Sequence, residues 1–341
     1  MIDIRIAAEE AFAPPEILDE YRKILASGTA NDPGFESLCG FYLGNPSPRI
    51  QEVIARMTDL GDRRLGDMDA TGITRQILSL TAPGVQIFDA PLAVSLAREA
   101  NDFLADAIRR HPARFSGLAA IAPQSPAEAA KELERAVRRL NLRGAIVNSH
   151  TRGEYLDDAK FWPIFETAEA LDVPVYIHPS YLPDAMIQPF LERGLDGAIY
   201  GFAAETALHI LRIILAGVFD CFPRLRVVIG HLGEGLPYWL FRIDFMHARM
   251  VAADRYPSVR KLARKPSDYL RENIYITTSG MAWAPPILYA QSVLGAGRVL
   301  YAMDYPYQFV PEEVAVTDNL PIGDAEKKML YQTNAEAVFK I

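Results

Sequence analysis

Apolar positions in this 341-residue chain fall into short runs at nearly regular spacing, each entered from a polar or Gly/Pro turn. The runs at 2–8 (IDIRIAA), 75–81 (RQILSLT), 116–122 (SGLAAIA), 143–148 (RGAIVN), 173–178 (VPVYIH), 226–231 (RVVIGH), 273–279 (NIYITTS) and 298–303 (RVLYAM) read as strands. They are rich in Ile, Val, Leu and Tyr and too short to be helices. Their apolar character is nearly continuous rather than alternating, as in strands covered on both faces.

The segments between them carry apolar residues at three- and four-residue spacing and predict helices: 91–112, 125–141, 157–172, 205–220 and 285–295. At 125–141, Ser125 reads as an N-cap with Pro126 in the first turn, and Glu128 stands at capping-box spacing. Strand and helix alternate eight times with no linker or low-complexity stretch, which predicts a single domain over 1–341, a (β/α)8 barrel. An open doubly wound sheet is the runner-up. It is disfavoured because no G-x-G-x-x-G follows the first strand and no P-loop occurs. The longest departure from the alternation, about 28–62, follows the first strand and is expected to form a long loop walling a pocket.

Composition narrows the functional classes. With 35 basic and 43 acidic side chains the net charge is −8, which argues against nucleic acid as a partner. No apolar stretch approaches membrane-spanning length and no basic-then-apolar leader opens the sequence, so a cytoplasmic protein is expected. Cys39 and Cys221 are expected to be free, partly buried thiols. There is no H-E-x-x-H, C-x-x-C or G-x-S-x-G pattern, which disfavours a nucleophilic serine or cysteine.

In such barrels chemistry gathers where strands end. Here those ends carry Glu9 (first strand), Thr81 (second), Asn148 with His150 beyond it (fourth), His178 (fifth), His231 (sixth), Thr278 and Ser279 (seventh) and Asp304 (eighth). Glu9, His178 and Asp304 form a candidate set for one divalent cation, because imidazole and carboxylates are common metal ligands. Glu9 and Glu10 cannot both face the barrel axis, since neighbours in a strand point to opposite sides; Glu10 is expected to pack or pair elsewhere. His231 has Glu234 within one turn, an arrangement that raises an imidazole's pKa and suits proton transfer or anion binding. His111, His209 and His247 read as structural, and His150 is left open. Arg49, in the long excursion, and Arg242, following LPYWLF, are candidates for holding a carboxylate. Aromatic residues on the rim segments, Phe41, Tyr42, Phe202, Trp283, Tyr305, Tyr307 and Phe309, suggest a flat apolar slot for a ring.

The segments EEAFA, GFY, DMDATGI, LTAPGVQ, NSHTRGEYLD, YIHP, LDGAIYGFAAET, GHLGEGLPYW, SGMAW and YAMDYPYQ span essentially the whole chain. Together they resemble the amidohydrolase superfamily, and within it the metal-dependent decarboxylases of aromatic acids, most of all those acting on 5-carboxyvanillate. The resemblance implies a TIM barrel in which Glu9, His178 and Asp304 bind one divalent metal. It also implies that Arg49, Phe202, Tyr307 and Thr81 line a pocket for a small aromatic acid. Arg242 would lie near the substrate, in its own site or a neighbouring subunit's, within a homodimer or homotetramer. Most of the superfamily carries a second ligand two residues after the first, usually histidine; here that position is Ala11. The remaining set of two carboxylates and one imidazole suits Mn2+, with Zn2+ as the alternative. The implied reaction is non-oxidative decarboxylation of an ortho-hydroxylated aromatic acid, with Asp304 as proton donor assisted by His231 and Glu234. A metal-dependent hydrolase opening a lactone or similar ring would use nearly the same residues and stays open here.

Overall fold

The computed structural model describes residues 4–28 and 31–341. Its strands are β1 (Ile6–Phe12), β2 (Arg75–Leu80), β3 (Phe115–Gly117), β4 (Ala119–Ala120), β5 (Ala145–Asn148), β6 (Val175–His178), β7 (Val227–Ile229), β8 (Ile274–Thr277) and β9 (Val299–Leu300). All pair in parallel with their sequence neighbours, in the orders β1-β2-β3 and β4 through β9. The ladder continues across the β3–β4 break, where Leu118 N donates to Leu78 O and Arg143 N to Gly117 O, each at 2.8 Å. These two segments are therefore one barrel strand. Ala8 N donates to Tyr301 O at 2.9 Å, which joins the first strand to the last. The eight expected strands are all present, and their buried side chains form one continuous core with the inner faces of the surrounding helices.

The first strand differs from its expected limits. Residues 2 and 3 lie outside the described residues, and β1 runs on to Phe12, through the two glutamates rather than ending before them. A carboxylate can stay in a buried strand when other groups pair with it, and both glutamates are paired. The register shifts between Ala7 and Glu10, an irregularity that re-aims side chains at this point.

The described part of the 28–62 excursion carries two helices, Pro33–Gly44 and Pro48–Thr58, rather than an irregular loop. Both starts are local. Asp32 accepts from Gly34 N and Phe35 N, Ser47 accepts from Ile50 N, and a proline follows each cap. The expected capping box at 125–141 is not formed. Ser125 occupies the N-cap position without a side-chain hydrogen bond, and Glu128 turns outward to Lys131 and Arg98. Cys39 is buried, while Cys221 is exposed rather than partly buried. Among the described residues no helix is long and apolar enough to cross a membrane.

Candidate active site

Glu9, His178 and Asp304 offer ligand atoms that all lie within 4.8 Å of one another. Each is set by its own strand. Glu9 points from β1 into the barrel mouth, where Tyr176 of β6 and Thr277 of β8 both donate hydroxyl hydrogen bonds to its Oε2. Its Oε1 is buried and has no hydrogen-bond partner among the described residues, and it faces His178 Nε2 at 3.3 Å. Gly230, at the end of β7, keeps this space open, because a Cβ there would stand 2.7 Å from Glu9 Oε1.

His178 engages its other nitrogen with backbone: Nδ1 lies 2.7 Å from Pro179 O. A carbonyl can only accept, so the proton sits on Nδ1 and the Nε2 lone pair faces Glu9 and Asp304, the tautomer a metal ligand requires. Burial holds His178 below the ordinary imidazole range, against the pull of Glu9. Asp304 follows β9 with φ 69°, a left-handed backbone that L residues adopt at a cost. Burial raises its carboxyl well above the ordinary carboxylate range; charged His231 opposes this, while Glu9 and Glu234 add to it. An orphaned carboxylate oxygen, a lone pair and a second carboxylate converging on one point are a donor set that fits a divalent cation.

His231 stands beside this group, with Nε2 3.7 Å from Glu9 Oε1 and Nδ1 2.7 Å from Glu234 Oε1. Burial alone would discharge the ring, but Glu234, Glu9 and Asp304 outweigh it and raise His231 to about 10. The imidazolium is thus the form the site favours at neutral pH. The segment that carries it is sharply turned: His231, Leu232, Gly233, Glu234 and Gly235 all have positive φ.

Above these groups opens a cavity of about 710 Å³, its mouth included, lined by His178, His231, Asp304, Thr81, Tyr307, Phe202 and by apolar side chains. The helices of the 28–62 excursion supply one wall through Leu38, Cys39, Tyr42, Leu43, Ile54 and Met57. Thr81 Oγ1 and Tyr307 Oη are 2.5 Å apart, and Tyr42 packs edge-on against Tyr307 with ring centroids 5.1 Å apart. Of the other rim aromatics, Tyr305 and Phe309 stack under Arg64 and Arg56, outside the cavity. Phe41 and Trp283 are exposed.

The two arginines stand apart from the lining. Arg49 is exposed on the first turn of helix Pro48–Thr58, close enough for its charge to act on Tyr42. Arg242 is exposed on helix Leu236–Ala252, bordering an outer groove with Glu234, Tyr200 and Trp239. His150 is now accounted for: Nε2 meets Tyr181 O at 2.9 Å and Nδ1 accepts from Gly153 N at 3.0 Å. Both nitrogens are engaged, and the residue is structural. Sequence reasoning passed over Tyr176, Thr277 and Gly230. The first two read as ordinary strand formers, and the signal that could have found them is their parity, with Tyr176 two residues before His178 on the same strand face.

The amidohydrolase family pattern matches residues 58–341. The chain belongs to the amidohydrolase family. Among the members most similar to it, the γ-resorcylate decarboxylase of Polaromonas sp. strain JS666 is 41% identical over 87% of this chain and 92% of its own. Two solved amidohydrolases are closely superposable. One is the 5-carboxyvanillate decarboxylase of Novosphingobium aromaticivorans, crystallised with manganese and 4-hydroxy-3-methoxy-5-nitrobenzoic acid. It is 49% identical, with a TM-score of 0.97 over 99% of this chain and 96% of that one. The other is the 5-carboxyvanillate decarboxylase of Sphingomonas paucimobilis, 39% identical, with a TM-score of 0.93 over 99% of both chains.

Proposed function

We propose that this protein is a manganese-dependent carboxy-lyase that removes CO2 from an ortho-hydroxylated aromatic acid, 5-carboxyvanillate or a close analogue. The observation that carries the reading is the convergence of Glu9, His178 and Asp304 at the floor of an aromatic-walled cavity. Similarity to decarboxylases crystallised around manganese supports it. Such a substrate suits breakdown of lignin-derived aromatics in the cytoplasm.

Glu9, His178 and Asp304 would hold the ion, with Zn2+ as the alternative to Mn2+. A bound divalent ion would supply positive charge that favours an anionic substrate. The chain's own residues do the rest. Tyr307, Phe202 and Tyr42 pack the ring and exclude water, and Thr81 fixes Tyr307. Asp304, in its neutral form, transfers its proton to the ring carbon that bears the carboxylate. The bond to the carboxylate carbon then breaks, its electron pair restores aromaticity, CO2 departs and Asp304 is left as carboxylate. His231, kept positive by Glu234, stabilises the negative charge near that carbon. Arg49, exposed near Tyr42, and Arg242, from its own or a second subunit, would draw in the anionic substrate.

The outer surface supports a second-subunit role. Tyr238, Trp239, Phe241 and Phe245 of helix Leu236–Ala252 are exposed, and Trp239 borders a groove with Tyr200 and Leu208, apolar surface of the kind that packs on another chain. A homodimer or homotetramer assembled on this face is the expected form, read by sedimentation.

The test is the purified chain loaded with Mn2+ and given 5-carboxyvanillate, γ-resorcylate and salicylate in D2O. Release of CO2 with one deuterium entering the ring is expected. Turnover of a lactone panel without CO2 would replace this reading with the hydrolase.

A further inference from the structure

Asp304 keeps a left-handed backbone, yet it has to present its carboxylate beside Glu9 and His178. What holds it there lies on the back of β1. Met303 N donates to Glu10 Oε1 at 3.0 Å, and Tyr305 N donates to Glu10 Oε2 at 3.2 Å. The amides of the two residues that flank Asp304 are thus gripped by the two oxygens of one carboxylate. Glu10 is itself fully buried and fixed from behind. Gln76 Nε2 reaches Glu10 Oε2 at 3.5 Å, and Gln76 Oε1 accepts from Arg64 Nη1 at 3.2 Å. Arg64, also fully buried, donates to the carbonyls of Asp59, Ala11 and Arg56, and its guanidinium lies 4.4 Å from the Tyr305 ring centroid. A buried arginine with this many fixed partners is a rigid anchor.

We propose that Glu10 is a positioning residue, which clamps the amides of Met303 and Tyr305 and so sets Asp304 in register with Glu9 and His178, braced by Gln76 and Arg64. The arrangement explains why two adjacent glutamates occupy one strand. The front one offers a ligand atom, and the back one locates a second ligand delivered by the far end of the sequence. β1 thereby sets the separation of two members of the donor set from a single piece of backbone. Satisfying two buried amides would by itself require an acceptor but not one tied to metal affinity, and that difference can be measured.

The proposal rests on the metal-centre reading above, and its readout needs no substrate. The whole metal-free chain is titrated with Mn2+, with the free ion followed by electron paramagnetic resonance. Glu10→Gln offers one acceptor and confronts the other amide with an NH2 group. Its affinity for Mn2+ is expected to fall roughly tenfold or more, and at saturating Mn2+ the loss is expected in kcat rather than KM. Glu10→Asp, too short to reach both amides, is expected to behave alike. Mn2+ affinity within twofold of the parent in folded Glu10→Gln overturns the proposal, as does a parent chain that takes up no Mn2+. If neither Glu10 variant folds, Gln76→Met decides, since it keeps both clamped amides and removes the brace. A loss of roughly threefold or more is expected, and unchanged affinity overturns the proposal. Failure of the decarboxylase reading would show separately, as a parent that binds Mn2+ and releases no CO2.

Discussion

Two groups of histidines sit at the same end of this barrel and differ in where their ring nitrogens go. In the first, His150 and His209, every nitrogen ends on the chain itself. His150 is held by Tyr181 O and Gly153 N, and His209 Nδ1 meets Ser149 Oγ at 3.1 Å while its Nε2 accepts from Leu156 N at 3.0 Å. In the second, His178 and His231 each engage Nδ1 and turn Nε2 toward Glu9 Oε1, an oxygen without a partner among the described residues. The residue type is the same in the two groups, but His178 and His231 are half-buried and line the cavity, whereas His150 and His209 are buried away from it. What separates the pair at the candidate metal site from the structural pair is half of its hydrogen-bonding capacity, left directed at a shared point.

The largest expected effect comes from removing the proton carried at that point. Asp304→Asn keeps the shape of the side chain but has no acidic proton, and kcat is expected to fall by at least about 10³-fold. Near-parental turnover of a metal-loaded Asp304→Asn would reassign the acid.

A paired substitution tests the comparison itself. His178→Gln is expected to lower Mn2+ affinity by roughly tenfold or more while the melting temperature of the metal-free protein stays close to the parent's. His209→Gln is expected to do the reverse. A buried partner of Leu156 N or Ser149 is lost, at about 1–3 kcal/mol of stability, and Mn2+ affinity is retained. Metal titration and thermal melting of the two variants read both halves. If both variants lost the same property, the two groups would not be distinct.

The eight strands were legible because a barrel strand is covered on both faces and announces itself as an apolar run. The donor set was legible for a related reason, since Glu9, His178 and Asp304 each break such a run where it meets the rim. The limits of β1 were misplaced because the two glutamates resemble a solvated end. They stay in the strand because Tyr176, Thr277 and the amides of Met303 and Tyr305 pair with them, and those partners lie far away in sequence. Arg64 was invisible for the same reason. In DRRLGDMDA it looks like a solvated helix charge, and only the packed fold shows it buried under Tyr305. The helices at 33–44 and 48–58 were readable from Asp32-Pro33 and Ser47-Pro48, but the length of the excursion favoured a loop. The clamp at Glu10 was half visible, in that strand parity put it on the opposite face from Glu9 without naming its partners.

The smallest expected effect on catalysis, and the one that sharpens the contrast, concerns Glu205 in the structural group. It is fully buried, accepts from Thr206 Oγ1 at 3.3 Å and faces the hydroxyls of Ser149 and Tyr155. Burial pushes it from 4.5 up to about 8 despite those hydroxyls. Because the folded-state pKa is raised, between these two values the folded chain holds a proton that the unfolded chain has released. Stability therefore falls as pH rises through this window, by up to about 1.4 kcal/mol per pH unit from this one group. Glu205→Gln is neutral in both states and has no such dependence. Its unfolding free energy, measured by urea titration at pH 5, 6, 7 and 8, should fall less steeply with pH than the parent's by that amount, while kcat stays within about twofold. Parallel curves would mean that Glu205 is charged in the folded protein. A carboxylate fixed so close to Ser149 and His209 would then make that group electrostatically active, and the line drawn between the two sets of histidines would have to move.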